Sequence, residues 1–139
     1  IVESIENDLA QSKIFVSVRN LKYMIRGGRV SPVKGNIARM LNAKPIVSMD
    51  KNGGSALFDR AFSQRSNMKK VMKHVRETLS SNELWQYVIL HAEGAETAEW
   101  FVNQMQELTG QKPLAVMNIS AVIGLSAGRG TAAIALMTK

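Results

Sequence analysis

From Gln64 to Leu79, apolar residues recur at helical spacing: Met68, Val71, Met72, Val75 and Leu79 fall on one side, while Lys69, Lys70, Lys73 and Arg76 fall on the other. A helix patterned this way needs a wall to bury one face against. The next segment supplies it, because Trp85 to His91 is nearly all apolar and reads as a strand covered on both faces. Ala95 to Thr109 returns to helical spacing, with Glu96 and Glu99 in its first turns and Gly110 closing it. Pro113 to Ile119 and Thr131 to Thr138 then read as strands. Helices alternating with strands dictate helices laid over a sheet.

The first half extends that sheet. Residues 2 to 11 read as a helix with Val2, Ile5 and Leu9 at helical spacing, followed by a β-rich run from Lys13 to Val18. Asn20 to Ile25 reads as a helical turn stopped by Gly27, and Pro32 to Asn42 as an amphipathic helix. Lys44 to Asp50 and Ser55 to Ser63 form a hairpin through Lys51-Asn52-Gly53-Gly54, since Asn-Gly tolerates the positive φ of tight turns. The expectation is one α/β domain over residues 1–139: two layers, a mixed sheet of about six strands covered by helices. No internal repeat or low-complexity linker divides it.

Composition removes several function classes. With 139 residues, 45% hydrophobic and 21% charged, the chain is an ordinary globular domain rather than a disordered one. The absence of cysteine excludes disulfides, thiolate metal sites and thiol catalysis, and fits a cytoplasmic location. No apolar run approaches the ~20 residues needed to span a bilayer. The chain starts at Ile1 in mid-helix, so it is expected to be a piece of something longer. The net charge of +7 raises the question of nucleic acid or anionic surfaces. No aromatic RNA-binding run and no zinc-finger spacing accompany it, so a solvated basic helix face is the expectation.

Two segments carry candidate chemistry. Gly27-Gly28-Arg29 is a paired-glycine turn that delivers an arginine, and Ser31-Pro32 after it reads as a helix N-cap with a first-turn proline. Arg29 beside free helix amides suits a carboxylate or phosphate. Near the end, Gly124-Leu125-Ser126-Ala127-Gly128-Arg129-Gly130 lies between two apolar runs. It lacks the Gly-Lys-Ser/Thr of a P-loop, and a strand follows it, so it reads as a tight connection rather than a nucleotide site. His91 reads as a polar strand cap and His74 as exposed on the basic helix; two unrelated histidines make no metal site. Eight methionines are mostly core filling, and their flexible thioethers also suit a cavity for chains of varied shape.

In this order, with strands and helices between them, the two segments resemble the DegV family of bacterial fatty-acid-binding proteins. The glycine-glycine-arginine element matches the family's usual form. The late loop keeps Gly124, Gly128 and Gly130 but has Ser126 where the family has histidine and Arg129 where it has proline. The resemblance covers nearly the whole chain and the second half of a usual family member. It implies a C-terminal lipid-binding subdomain, with Arg29, Ser31, Ile123, Gly124 and Ser126 as lipid-binding residues. It implies a long-chain fatty acid as ligand and a missing N-terminal domain whose hydroxyls grip the carboxylate. A fatty-acid kinase would then act on that carboxylate. No catalytic residue, cofactor or metal is expected of this chain, and a fragment with half a cavity wall is expected to self-associate. The alternative is a basic interaction module docking an acidic protein or nucleic acid. An enzyme acting on phosphorylated small molecules ranks last, for want of a base or nucleophile.

Overall fold

The structure, a computed structural model, describes residues 2–28 and 42–139. The elements are α1 (Val2–Gln11), β1 (Ser12–Ser17), α2 (Leu21–Arg26), β2 (Lys44–Met49), β3 (Ser55–Ala61), α3 (Gln64–Leu79), β4 (Leu84–Ala92), α4 (Ala95–Thr109), β5 (Ala115–Asn118), α5 (Ala121–Ala127) and β6 (Thr131–Thr138). The expected helix over 32–42 lies, apart from Asn42, outside the described residues. The strands form one six-stranded sheet in the order β3-β2-β1-β6-β4-β5. Only β4 and β5 run parallel; the other neighbouring pairs are antiparallel. A mixed sheet of six strands with helices over it is the expected fold class.

Side-chain alternation along the strands assigns the two faces. Phe15, Tyr87, Ile89, Ile134 and Leu136 point to the face covered by α3 and α4, where they meet Val71, Met72, Val75, Ala98, Phe101 and Met105 in one buried cluster. The other face is covered at one corner, where Leu21 and Met24 of α2 pack on Val18 and Val47. A buried polar link ties α3 to the sheet beneath it. Asn67, with no exposed surface, donates to the carbonyls of Lys44 and Pro45 at 2.8 and 2.9 Å and accepts from Ser17 Oγ at 2.6 Å.

Several expectations are corrected. Trp85 to His91 is not a strand covered on both faces: β4 is next to the edge, and its residues alternate, with Leu84, Tyr87 and Ile89 buried and Trp85 54% exposed. The apolar residues of its other face, Val88 and Leu90, are only half-buried. The late glycine segment is not simply a connection, because its first part closes into the seven-residue α5. His74 is not a solvent-exposed surface residue; its side chain is 17% exposed and lies against Asp59. The helix expected over residues 2–11 is present, yet Val2, Ile5 and Leu9 are 70%, 53% and 65% exposed.

Phe101, fully buried where α4 meets the sheet, carries much of the core. Phe101→Ala should cost about 3–5 kcal/mol in chemical denaturation, whereas Leu114→Ser, at a residue 70% exposed, should change stability by less than about 0.5 kcal/mol.

Candidate functional site

The two segments singled out in the sequence meet in space. α2 begins at Asn20, whose side chain accepts the Lys22 amide at 2.9 Å, and ends in the Gly27-Gly28 turn. α5 packs against α2 at this corner. A Cβ on Gly27 would lie 2.9 Å from Ser126 Oγ, so the missing side chain is what lets the turn approach the serine. Gly128, at φ 82°, ends α5, and a Cβ there would overlap the Tyr23 ring. Ser126 is half-buried, and among the described residues nothing hydrogen-bonds to its hydroxyl. Ile123 is 58% exposed and Gly124 faces open space. Arg29 and Ser31 lie outside the described residues, and of the remaining expected site residues the structure sets Ser126 beside Gly27.

Arg129, at the family's proline position, points outward and pairs with Glu93. Glu93 sits at φ 48°, a left-handed backbone that non-glycine residues seldom adopt, in the turn between β4 and α4. His91 performs the capping role expected of it: its Nδ1 accepts the Gly94 amide at 3.3 Å.

On the face away from α3 and α4 an apolar lane runs along β6. There β6 presents Ala133, Ala135 and Met137, and the pairings place Val16 and Leu90 beside Ala133, and Ile14 and Val88 beside Ala135. Small residues on the middle strand with branched residues on both sides make a trough, about 13 Å long from Ala133 to Met137 at ~3.3 Å per residue. The trough enters a cavity of about 740 Å³ lined by Leu9, Ala10, Ile14, Met49, Val88, Ala135 and Met137, among others. That volume lies in the range of ligand pockets. Trp85 stands at its wall, turned there by a β-bulge between Leu84 and Gln86. Sequence reasoning missed the trough, although the signal was present. Thr131 to Thr138 alternates Ala133 and Ala135 with Ile134 and Leu136, so its two faces differ in volume.

Residues 1–139 match the family model described as "Uncharacterised protein, DegV family". The chain belongs to the DegV family. A DegV domain-containing protein of Clostridium acetobutylicum is 29% identical over 141 residues, which is all of this chain and 50% of that protein. A fatty acid binding DegV family protein from Streptococcus agalactiae superposes with a TM-score of 0.86 at 22% identity, over 99% of this chain and 48% of that one. The Fatty Acid Kinase B3 protein of Streptococcus pneumoniae, loaded with linoleic acid, superposes with a TM-score of 0.83 at 14% identity, over 99% and 48%. This DegV chain thus spans about half the length of the curated relatives it matches. Among its described residues no helix is long and apolar enough to cross a membrane.

The helical layer of this DegV chain is split in charge. Arg65, Lys69, Lys73 and Arg76 are exposed on α3, and Glu96, Glu99 and Glu107 are exposed on α4 beside it. A polyanion laid across this layer would meet the carboxylates as well as the cations, which weakens the nucleic-acid reading of the +7 charge.

Two glycines at the corner should respond oppositely. Gly124→Ala, inside α5 with open space beyond, should raise stability by up to about 1 kcal/mol. Gly128→Ala, at positive φ and against Tyr23, should lower it by about 1–3 kcal/mol. Thermal melts of the two variants side by side check the assignment.

Proposed function

We propose that this chain is the C-terminal lipid-binding subdomain of a longer DegV protein and forms one wall of an acyl-chain cavity. The observation that carries the reading is the alanine trough. It is an apolar lane on one sheet face whose Ala135–Met137 end lines the 740 Å³ cavity. Each methylene of an acyl chain buried there contributes ~0.8 kcal/mol, so the trough supplies affinity and a few polar atoms at the corner supply orientation. Ser126 donates its hydroxyl to the carboxylate, Ile123 and Gly124 line the approach, and Arg29 and Ser31 complete the headgroup contacts. The fatty-acid-binding names of the structural relatives support the ligand class, and the kinase component among them supports a carboxylate presented to a partner kinase. In this reading the chain binds and does not catalyse, acts in the cytoplasm, and relies on a separate N-terminal domain for the opposing wall.

The second reading, a basic module that docks an acidic protein through α3, is favoured by the exposed cations on that helix. Salt separates the two, because ion-pair docking falls steeply between 50 and 200 mM salt and acyl burial does not.

The test uses the full-length natural protein, purified from cells and sprayed intact for native mass spectrometry. A bound long-chain fatty acid is the expected result. Ala135→Leu, which fills the trough, should reduce its occupancy at least about tenfold while leaving the melting temperature within a few degrees. Trp85→Ala should shift the bound species towards longer chains. A protein that neither retains nor takes up palmitate would end the lipid reading.

Replacing the family's histidine by Ser126 should also flatten the pH response, since a hydroxyl stays neutral where imidazole titrates. Palmitate affinity should change little between pH 5.5 and 7.5, and Ser126→His should introduce a step that calorimetry can detect.

A further inference from the structure

His74 occupies an unusual place for a residue on a basic helix. Its Nε2 lies 2.8 Å from Asp59 Oδ2 of β3, and its Nδ1 lies 3.2 Å from Glu77 Oε2, one turn along α3. The other oxygen of each carboxylate holds a lysine: Lys70 Nζ is 3.1 Å from Asp59 Oδ1, and Lys73 Nζ is 3.7 Å from Glu77 Oε1. The Phe58 ring of β3 meets the imidazole edge-on at a centroid distance of 4.8 Å, and Phe15 of β1 stacks on it at 6.0 Å. The facing charged groups are therefore Asp59 from β3 and Glu77, Lys70 and Lys73 from α3, while β1 contributes only an aromatic ring. The two carboxylates meet opposite nitrogens of one ring.

An ionised carboxylate has no proton to give. Only the imidazolium, with an N–H on each nitrogen, can donate to both acids at once. A neutral imidazole leaves one ring lone pair facing a carboxylate oxygen. We propose that His74 is a pH-sensitive latch: protonated, it clamps the edge strand β3 to α3, and on losing its proton it loosens the β2–β3 hairpin.

The hairpin depends on this latch because, among the described residues, β3 is an edge strand paired with β2 alone. Its described side-chain ties to α3 are Phe58 and Asp59, joined by a hydrogen bond from Lys70 Nζ to the Arg60 carbonyl at 2.7 Å. The hairpin residues Met49, Asp50, Lys51 and Gly53 form part of the cavity wall. The latch stands on its own geometry, and only the identity of the cavity's occupant rests on the lipid reading. Asp59 remains ionised throughout the histidine range. Partial burial pushes its carboxyl up, but hydrogen bonds from His74, the Arg60 amide and Lys70 outweigh this and hold it at about 2. The clamp is therefore present while the imidazole carries both protons, is weakened when it loses one, and fails separately in strong acid as Asp59 protonates.

Hydrogen–deuterium exchange on the 139-residue chain, corrected for intrinsic rates, tests this without any ligand. Protection across Ser55–Ala61 and the turn Met49–Gly54 should fall about tenfold between pH 5.5 and 8, the loss expected for one charge-assisted hydrogen bond, while β4 and β6 hold theirs. His74→Gln should abolish the step. Glu77→Gln removes one acceptor on the exposed side and should shrink it, which keeps the test decisive if the first variant folds poorly. Equal protection of the hairpin at both pH values overturns the latch, and so does an undiminished step in either variant. If the step appears but the full-length protein takes up no palmitate, the latch stands and the lipid reading falls.

Discussion

The sheet is a single sheet because of β6. Its residues pair with β1 along one edge, from Ser12↔Met137 to Ser17↔Ala132, and with β4 along the other, from Leu84↔Thr138 to Ala92↔Thr131. Without it, β1-β2-β3 and β4-β5 would be separate ribbons, and neither would give α3 and α4 a continuous surface. The same strand also makes the candidate site. Its large residues, Ile134 and Leu136, fill the covered core, and its small ones, Ala133 and Ala135, leave a trough on the other face. One strand therefore serves stability with one set of side chains and binding with the alternate set, a division that the two-residue period of a strand makes available.

Much of this was legible in the sequence, and the reasons are local. The boundaries of α3 and α4 follow from helical spacing over some fifteen residues, with Gly110 closing α4; the Ser63 cap before α3 emerges only in the structure, since the sequence reads it as the end of β3. The β2–β3 hairpin follows from Asn52-Gly53, whose glycine takes φ 79° as a tight turn requires. What misled was apolarity without context. Trp85 to His91 looked like a doubly covered strand because its sequence cannot say whether protein or something else covers the second face. His74 looked exposed because its partner, Asp59, lies fifteen residues away on a strand whose register the sequence does not fix.

The candidate site was legible in part. Glycines at 27 and 128 marked the close approach of two elements without naming them, and the structure shows each set against the other element's side chain, Ser126 and Tyr23. α5 was missed because Gly124 lies within it and its length, seven residues, is too short for periodicity to register. The cavity beneath α1 depends on four strands and a helix meeting, a long-range property that no single window of sequence carries.

The placement of β6 also has a consequence for biosynthesis. β1 and its partner on β6 are more than a hundred residues apart in the chain. At ribosomal speeds of roughly 5–20 residues per second, β1 waits on the order of 5–20 s with one edge unpaired after it emerges. During that interval the nascent β1-β2-β3 ribbon offers an open edge to any other extended segment nearby. Lys13, exposed on β1, is the kind of charged residue that discourages such pairing. The late arrival of the strand that completes the fold thus makes elongation rate, and not only sequence, a determinant of how much of this protein reaches its native state.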